Sequence, residues 1–309
     1  MAEKLARFCK VLIFNDPPEN SRHSLPEANP RYVENDFRCP MLDVGISWRM
    51  PHMGRQLKVR ARKVYLWPHD TCAFRMTKEE INAFDDILWL SNWQRLQWTS
   101  LNLRLAKFTK VFGNGINPED FKPLKQRSNP VSCIYGSNYG QGLDILLNIW
   151  PDIKKQFPKA SLDIYYGFEH WGLLSPEKGA KIKTDLINLN PLDVKEHGQV
   201  GHDELNRAYE KASLWTYPCM GMETFCITAL RAQYAGALPV IIEGSALNET
   251  VKHGFKCDHE DKYTQTLIEA MHYAEKMPLD EREKMREFIL REYTWDILAR
   301  KWMDLFFHE

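Results

Sequence analysis

The chain has 309 residues, 44% hydrophobic and 12% aromatic, enough for two domains with separate cores. Lys plus Arg and Asp plus Glu both number 41, so a net charge of zero supplies no whole-molecule attraction to nucleic acid or to an anionic membrane. Seven cysteines, odd in number and without a CxxC pair, point to a reducing, cytoplasmic location, as does an opening "MAEKLARFCKVLIF" too poor in apolar residues for a signal peptide. No apolar run approaches the roughly 20 residues of a membrane-spanning helix.

Short apolar runs alternate with longer amphipathic ones, the pattern of parallel strands crossed by helices, and the expected class is α/β. In the first part the strand candidates are "KVLIFN" (10–15), "DVGIS" (43–47), "KVYLWP" (63–68), "DILWLS" (86–91) and "TKVFGN" (109–114). The aperiodic "GNGINPEDFKPLKQRSNP" (113–130) reads as a linker, dividing the chain into 1–115 and 116–309, with the final helix packing back on the first domain as one option. Next come strand "VSCIYG", helix "QGLDILLNIWPDIKKQF" with Pro151 at a break or restart, and strand "ASLDIYYG", together one βαβ unit. Ser175 caps a helix with Pro176 at its first position, a strand "EHGQV" follows, and Asp203 opens "DELNRAYEKA". Strand "LWTYP", a helix over about 224–235 stopped by Gly236, and strand "LPVII" lead into a helical tail from about residue 262.

The run "GQVGHDELNRAYEKASLWTYPCMGMETFCITALRAQYAGALPV" together with "NGINPEDF" resembles the GT-B glycosyltransferases of the retaining, family-4 type. The likeness covers the chain from about residue 109 to its end. It implies two Rossmann-like domains facing across a cleft, the first unusually short, and transfer of a sugar from a nucleotide-sugar donor to a hydroxyl acceptor, glycan or lipid-linked, with retention and without an essential metal. In this resemblance Glu223 grips sugar hydroxyls; Gly136, Ser137, Asn138 and Gly142 surround the diphosphate; and Thr224, Phe225 and Cys226 contribute backbone groups at a helix start, where unpaired amides suit developing negative charge. Val200 lies on the donor side, and His69, with Asp70 beside it, assists the acceptor. Two positions depart from the family pattern. Gln141 stands where a cation commonly neutralises the diphosphate, and Arg231 stands where a second glutamate holds the ribose; Arg231 is a candidate to take over part of the phosphate duty.

Other readings stay open for the same residues. "GSNYGQG" is also a tight βα turn, and its spacing is not a dinucleotide fingerprint. Glu223 also reads as an ordinary helix N-terminal charge, and His69 as a turn histidine. Tyr165, Tyr166, Trp171 and Trp215 read as core rather than carbohydrate platforms. Ten histidines and seven cysteines show no zinc-ligand spacing. Residues 1–115 hold 18 basic against 12 acidic side chains, and the acid-free runs 44–69 and 87–118 suit either a solvated face or peripheral contact with an inner membrane surface. The functional alternatives are a non-catalytic GT-B-like protein that binds a glycan or a partner, and a nucleotide-sugar epimerase.

Overall fold

The computed structural model describes residues 1–16, 22–25, 27–33, 40–71, 76–127, 131–168 and 174–307, so Trp171, Cys39 and Cys72 lie outside the described residues. The chain forms two compact units, one of Met1–Gly115 with Tyr293–Glu309 and one of Ile116–Glu292. Its strands are β1 (Leu12–Phe14), β2 (Arg31–Val33), β3 (Leu42–Trp48), β4 (Ala61–Trp67), β5 (Asp86–Ile87), β6 (Ser132–Gly136), β7 (Ser161–Tyr165), β8 (Val194–Glu196), β9 (Leu214–Tyr217), β10 (Leu238–Ile242) and β11 (Phe255–Cys257).

In the Ile116–Glu292 unit six strands form one parallel sheet in the order β11-β10-β9-β6-β7-β8. Every residue of β9 and β10 is buried, as expected of strands covered on both faces by crossover helices. The chain runs outward from β6 through β7 to β8, then returns to the other flank of β6 as β9. That reversal is a topological switch point, and it opens a crevice at the carboxyl ends of β6 and β9.

Local chemistry explains most element ends. The Ser175 side chain accepts from Lys178 N at 3.2 Å and caps Pro176–Leu189. Gly236, at φ 86°, ends Ile227–Ala235 in the left-handed region. Other boundaries moved. Pro151 lies inside one continuous helix, Leu143–Gln156, because Leu143, Leu146, Leu147, Trp150 and Ile153 form an unbroken buried stripe across it. The strand expected at 196–200 forms at Val194–Glu196 instead, where Val194 enters the core and Gly198, at φ 66°, turns the chain away. Gly201 rather than Asp203 is the N-cap of His202–Lys211. The helix expected from 224 opens at Ile227, since Cys226 has φ 66°, which no right-handed helix accommodates. The 113–130 segment, where described, is bound down: Arg127 donates to Ala212 O at 3.0 Å and to Ala235 O at 2.6 Å.

In the other unit β3, β4 and β5 form a parallel sheet, and β1 and β2 a separate parallel pair. Strand β5 stops at Ile87 because Ser91 already caps the Asn92–Leu101 helix, accepting from Gln94 N at 3.0 Å. The 109–114 run contributes only a bridge between Val111 and Trp89. The Trp295–Phe307 helix packs on this sheet, with Trp302 edge-on to Trp67 at 5.1 Å and Phe306 stacked on Tyr65 at 5.7 Å. Gly115 lets the chain pass this helix, since a Cβ there would lie 2.7 Å from Trp295 N. Among the described residues no helix is long and apolar enough to cross a membrane.

Candidate functional site

The turn between β6 and the following helix is braced from below. The single proton of the buried Tyr135 hydroxyl is shared between Asn138 O, at 2.6 Å, and Gln141 O, at 3.1 Å, and Asn138 Oδ1 accepts from Gly140 N at 2.8 Å. Asn138 therefore builds the turn. Gly142, the helix N-cap, has φ 92°, and a Cβ there would stand 2.1 Å from Pro218 O, so the β6 turn and the β9 loop touch backbone to backbone. At Gly136 an added Cβ would strike the Tyr209 hydroxyl, so the absence of a side chain there is already explained by packing. Gln141 is committed to the same junction: its Oε1 accepts from the Cys219 thiol at 3.0 Å. Burial raises the Cys219 pKa, so the thiol remains a neutral donor.

The β9 loop carries Glu223. Its carboxylate accepts from the Tyr217 hydroxyl at 2.5 Å, and Tyr217 in turn accepts from Ser137 Oγ at 3.3 Å. Burial pushes the Glu223 pKa up and the Tyr217 bond holds it back, with burial the larger influence. Tyr217 itself is fully buried at the last position of β9, its pKa well above the usual phenolic value through burial and the neighbouring Glu223 charge. Glu223 does not sit on the helix, and the expected helix-start residues Thr224, Phe225 and Cys226 belong to the loop before it. The first helical amides are those of Ile227 and Thr228.

A cavity of about 410 Å³ lies at the switch point. Gly136 and Ser137 form its β6 wall, Tyr165, Tyr166, Gln199 and Val200 the β7 and β8 side, and Ile227, Thr228, Arg231 and His202 the helical side. Of the residues expected at a donor, Gly136, Ser137, Val200 and Arg231 line this cavity, whereas Asn138, Gln141 and Gly142 shape the turn behind it. Tyr165 and Trp215 are core as expected, Tyr166 packs against that core, and Tyr165 and Tyr166 also edge the cavity.

Arg231 is, among the described residues, the one permanently charged side chain on the wall. Among the described residues no carboxylate pairs with it; its Nη2 lies 3.1 Å from His202 Nδ1. Because a guanidinium only donates, Nδ1 is the acceptor and the His202 ring is neutral; the Arg231 charge is the largest cause lowering its pKa. Burial also lowers the Arg231 pKa, leaving the guanidinium charged and incompletely solvated. Such a group attracts an anion. Among the described residues no cluster of His, Cys, Asp and Glu has the make-up of a metal site.

His69 stands in the other unit, just past β4. Its ring lies edge-on to Trp67 at 4.5 Å and to Trp48 at 5.6 Å. Burial, with the Arg49 charge adding to it, pulls its pKa down to about 3, so it is a neutral imidazole at neutral pH. Asp70 faces Arg49 at 3.9 Å. The acid-free runs are not acid-free in space, since Lys58 bonds Asp85 at 2.7 Å and Arg62 meets Asp43 at 3.3 Å. Leu105 and Phe108 are core, while Leu96, Leu101 and Leu103 are exposed beside Arg104 and Lys107.

Tyr217 and His202 are site candidates that residue type and spacing do not single out. The available signal was positional: Tyr217 is the last residue of a wholly buried strand, at the sheet's carboxyl edge.

The family model described as glycosyl transferases group 1 matches residues 117–290. Among solved structures, the chain is similar to sucrose-phosphate synthase from Thermosynechococcus elongatus, with 14% identity, a TM-score of 0.66, and coverage of 85% of this chain and 73% of that one. It is also similar to Anabaena HepE in complex with UDP-glucose (13% identity, TM-score 0.67, 85% and 78% covered) and to a trehalose 6-phosphate synthase from Burkholderia multivorans (12%, 0.64, 86% and 71%). These likenesses establish the GT-B fold. A sequence search of curated proteins finds no match.

Proposed function

The chain belongs to the glycosyl transferases group 1 family, and from that premise we propose that it moves a sugar from a nucleotide-activated donor to a hydroxyl acceptor with retention at the anomeric carbon. One observation carries the donor assignment: among the described residues the switch-point cavity has one permanently charged side chain, Arg231, with no carboxylate in ion-pair contact and Asp120 the nearest acidic influence, a few residues from the helix start that carries the Ile227 and Thr228 amides. A diphosphate leaving group gains charge as its bond to the sugar breaks, and a fixed cation beside a helix N-terminus favours that change. Glu223 then takes sugar hydroxyls through its remaining oxygen lone pairs. UDP-sugars are the first donors to try, because the structurally similar Anabaena HepE was solved with UDP-glucose.

In this reading no protein nucleophile acts. The acceptor hydroxyl attacks from the face the diphosphate leaves, and the departing phosphate takes its proton. His69, neutral, orients an acceptor hydroxyl rather than serving as a strong base. No metal is required, because Arg231 and the amides supply the positive end. The acceptor is a glycan or a lipid-linked hydroxyl, and the exposed Leu96, Leu101 and Leu103 beside Arg104 and Lys107 support a cytoplasmic protein resting on an anionic membrane face.

The test is release of nucleoside diphosphate from a panel of UDP-, GDP- and ADP-sugars, with NMR of the product's anomeric proton and a parallel run in EDTA. Retained configuration and unchanged rate in chelator are expected; inversion or loss of activity with EDTA refutes the corresponding part. Salt-sensitive co-sedimentation with anionic vesicles is expected for the membrane contact, and its absence removes that contact. A second reading, a non-catalytic ligand-binding protein, is favoured by one observation: Gln141, where a cation commonly stands, is turned to Cys219. Ligand-induced thermal stabilisation without turnover on any donor would select it.

A further inference from the structure

Resting on the donor site proposed above, we propose that Tyr217 is a positioning residue that sets the hydrogen-bond polarity at the sugar end of the site. It occupies one oxygen of Glu223 and turns Ser137 into an acceptor, so both side chains offer lone pairs to the hydroxyl groups of a polyol.

A phenol has one proton to give. Tyr217 is fully buried, and its hydroxyl stays protonated because ionising it beside Glu223 in an apolar surround is unfavourable. An ionised carboxylate only accepts, so the phenolic proton lies on the 2.5 Å contact to Glu223 Oε1. The Tyr217 oxygen is then free only to accept, and Ser137 Oγ, 3.3 Å away, donates to it. That uses the one serine proton. Ser137 lines the cavity, and what it presents there is lone pairs. A phosphate oxygen set against them finds no donor, whereas a sugar or ribose hydroxyl does. Ser137 is therefore misplaced in the diphosphate set, and the phosphates fall to Arg231 and the Ile227 and Thr228 amides. The direction of the chain depends on Glu223 being charged. Its other titratable neighbours, Tyr135, Cys219 and Cys226, are each held neutral by burial across the range in which a carboxylate titrates, so they do not reverse it.

Two measurements decide the matter. In carboxyl-carbon NMR of glutamate-labelled protein, with Glu223 assigned by Glu223→Gln, Tyr217→Phe should raise the Glu223 midpoint by on the order of one pH unit, the size expected for loss of one bond to the charged form. Ser137→Ala should leave it within a few tenths, because it spares the Tyr217–Glu223 bond. An unchanged midpoint in Tyr217→Phe overturns the proposal. The second measurement compares thermal shifts by UDP, GDP or ADP alone with those by the corresponding nucleotide-glucose. Tyr217→Phe should keep the increment from the nucleoside diphosphate and lose the further increment from glucose; equal loss of both marks general damage to the site and overturns the positioning role. Should none of these ligands stabilise even the unaltered protein, the donor-site reading fails, while the carboxyl titration still decides the polarity of the relay.

Discussion

The sheets of the two units differ in one respect that matters for function. In the Ile116–Glu292 unit the strand order reverses about β6, and a cavity opens beyond the carboxyl ends of β6 and β7, walled on its other side by the His202–Lys211 and Ile227–Ala235 helices. In the Met1–Gly115 unit β3, β4 and β5 lie in simple sequential order, with no reversal. The residue just past the end of its central strand, His69, is walled by two tryptophans. Both units present polar residues at strand ends, and among the described residues the unit with the switch point gathers Arg231, outside ion-pair contact with any carboxylate, at a cavity. Strand order, more than local composition, decides where a crevice opens.

The largest effect that would break this contrast is expected at Glu223. Glu223→Gln should lower turnover about a hundredfold or more, the scale of a lost transition-state contact. It should also stabilise the fold at alkaline pH. A carboxylate whose folded pKa is raised supports the native state below its unfolded value and does so less as pH climbs through the folded value, so the melting-temperature gain of the amide should be larger at pH 8 than at pH 4. An equal gain at both pH values would show that Glu223 is not disfavoured by burial. Next in size, Gly142→Ala should cost about 2–3 kcal/mol, because the new methyl meets Pro218 O in a left-handed backbone. Hydrogen exchange should then quicken in β6 and β9 and not in β3 and β4, and uniform quickening would deny the units separate stability. Smaller still, Arg231→Ala should weaken nucleoside diphosphate binding about tenfold by calorimetry, as expected for one charge-assisted phosphate contact. Arg231→Glu should weaken it further, and tighter binding would end the phosphate role.

The mildest effect belongs to the other unit. A histidine whose folded pKa is lowered to about 3 supports the native state above its unfolded value near 6.5 and progressively less as pH falls from there toward 3. His69→Gln should therefore flatten the acid loss of protection in β3 and β4 while leaving β6 and β9 unaffected. An unchanged acid profile would show that the His69 pocket is open to water.

Much of this architecture was readable in advance, and the failures share a cause. The strands β6, β7 and β9 were legible because short, mainly apolar runs mark the buried strands of a parallel sheet, with Asp163 of β7 a charged interruption. Strand ends were less so: β5 stops at Ile87 because Ser91 prefers to cap, a contest between two local choices that hydrophobicity does not reveal. The stretches that hold the cavity-lining Gly136, Val200 and Arg231 stood out in the sequence as a glycine-rich turn and a later family-like run. Their side-chain pairings did not, since Tyr217 and Ser137 are 80 residues apart in sequence.

Periodicity, caps and the group 1 motif are written along the chain itself. A repeat of two or 3.6 residues, a Ser175 cap or a Gly236 stop each depends on atoms a few residues away, so the α/β class, the element order and the region holding the donor motif are set locally. Which polar atom satisfies which is settled only where loops from β6, β8 and β9 converge. There Gln141 goes to Cys219, Ser137 to Tyr217 and Arg231 to His202, because a buried donor or acceptor costs free energy until it finds a partner, and the folded sheet determines which one is within reach.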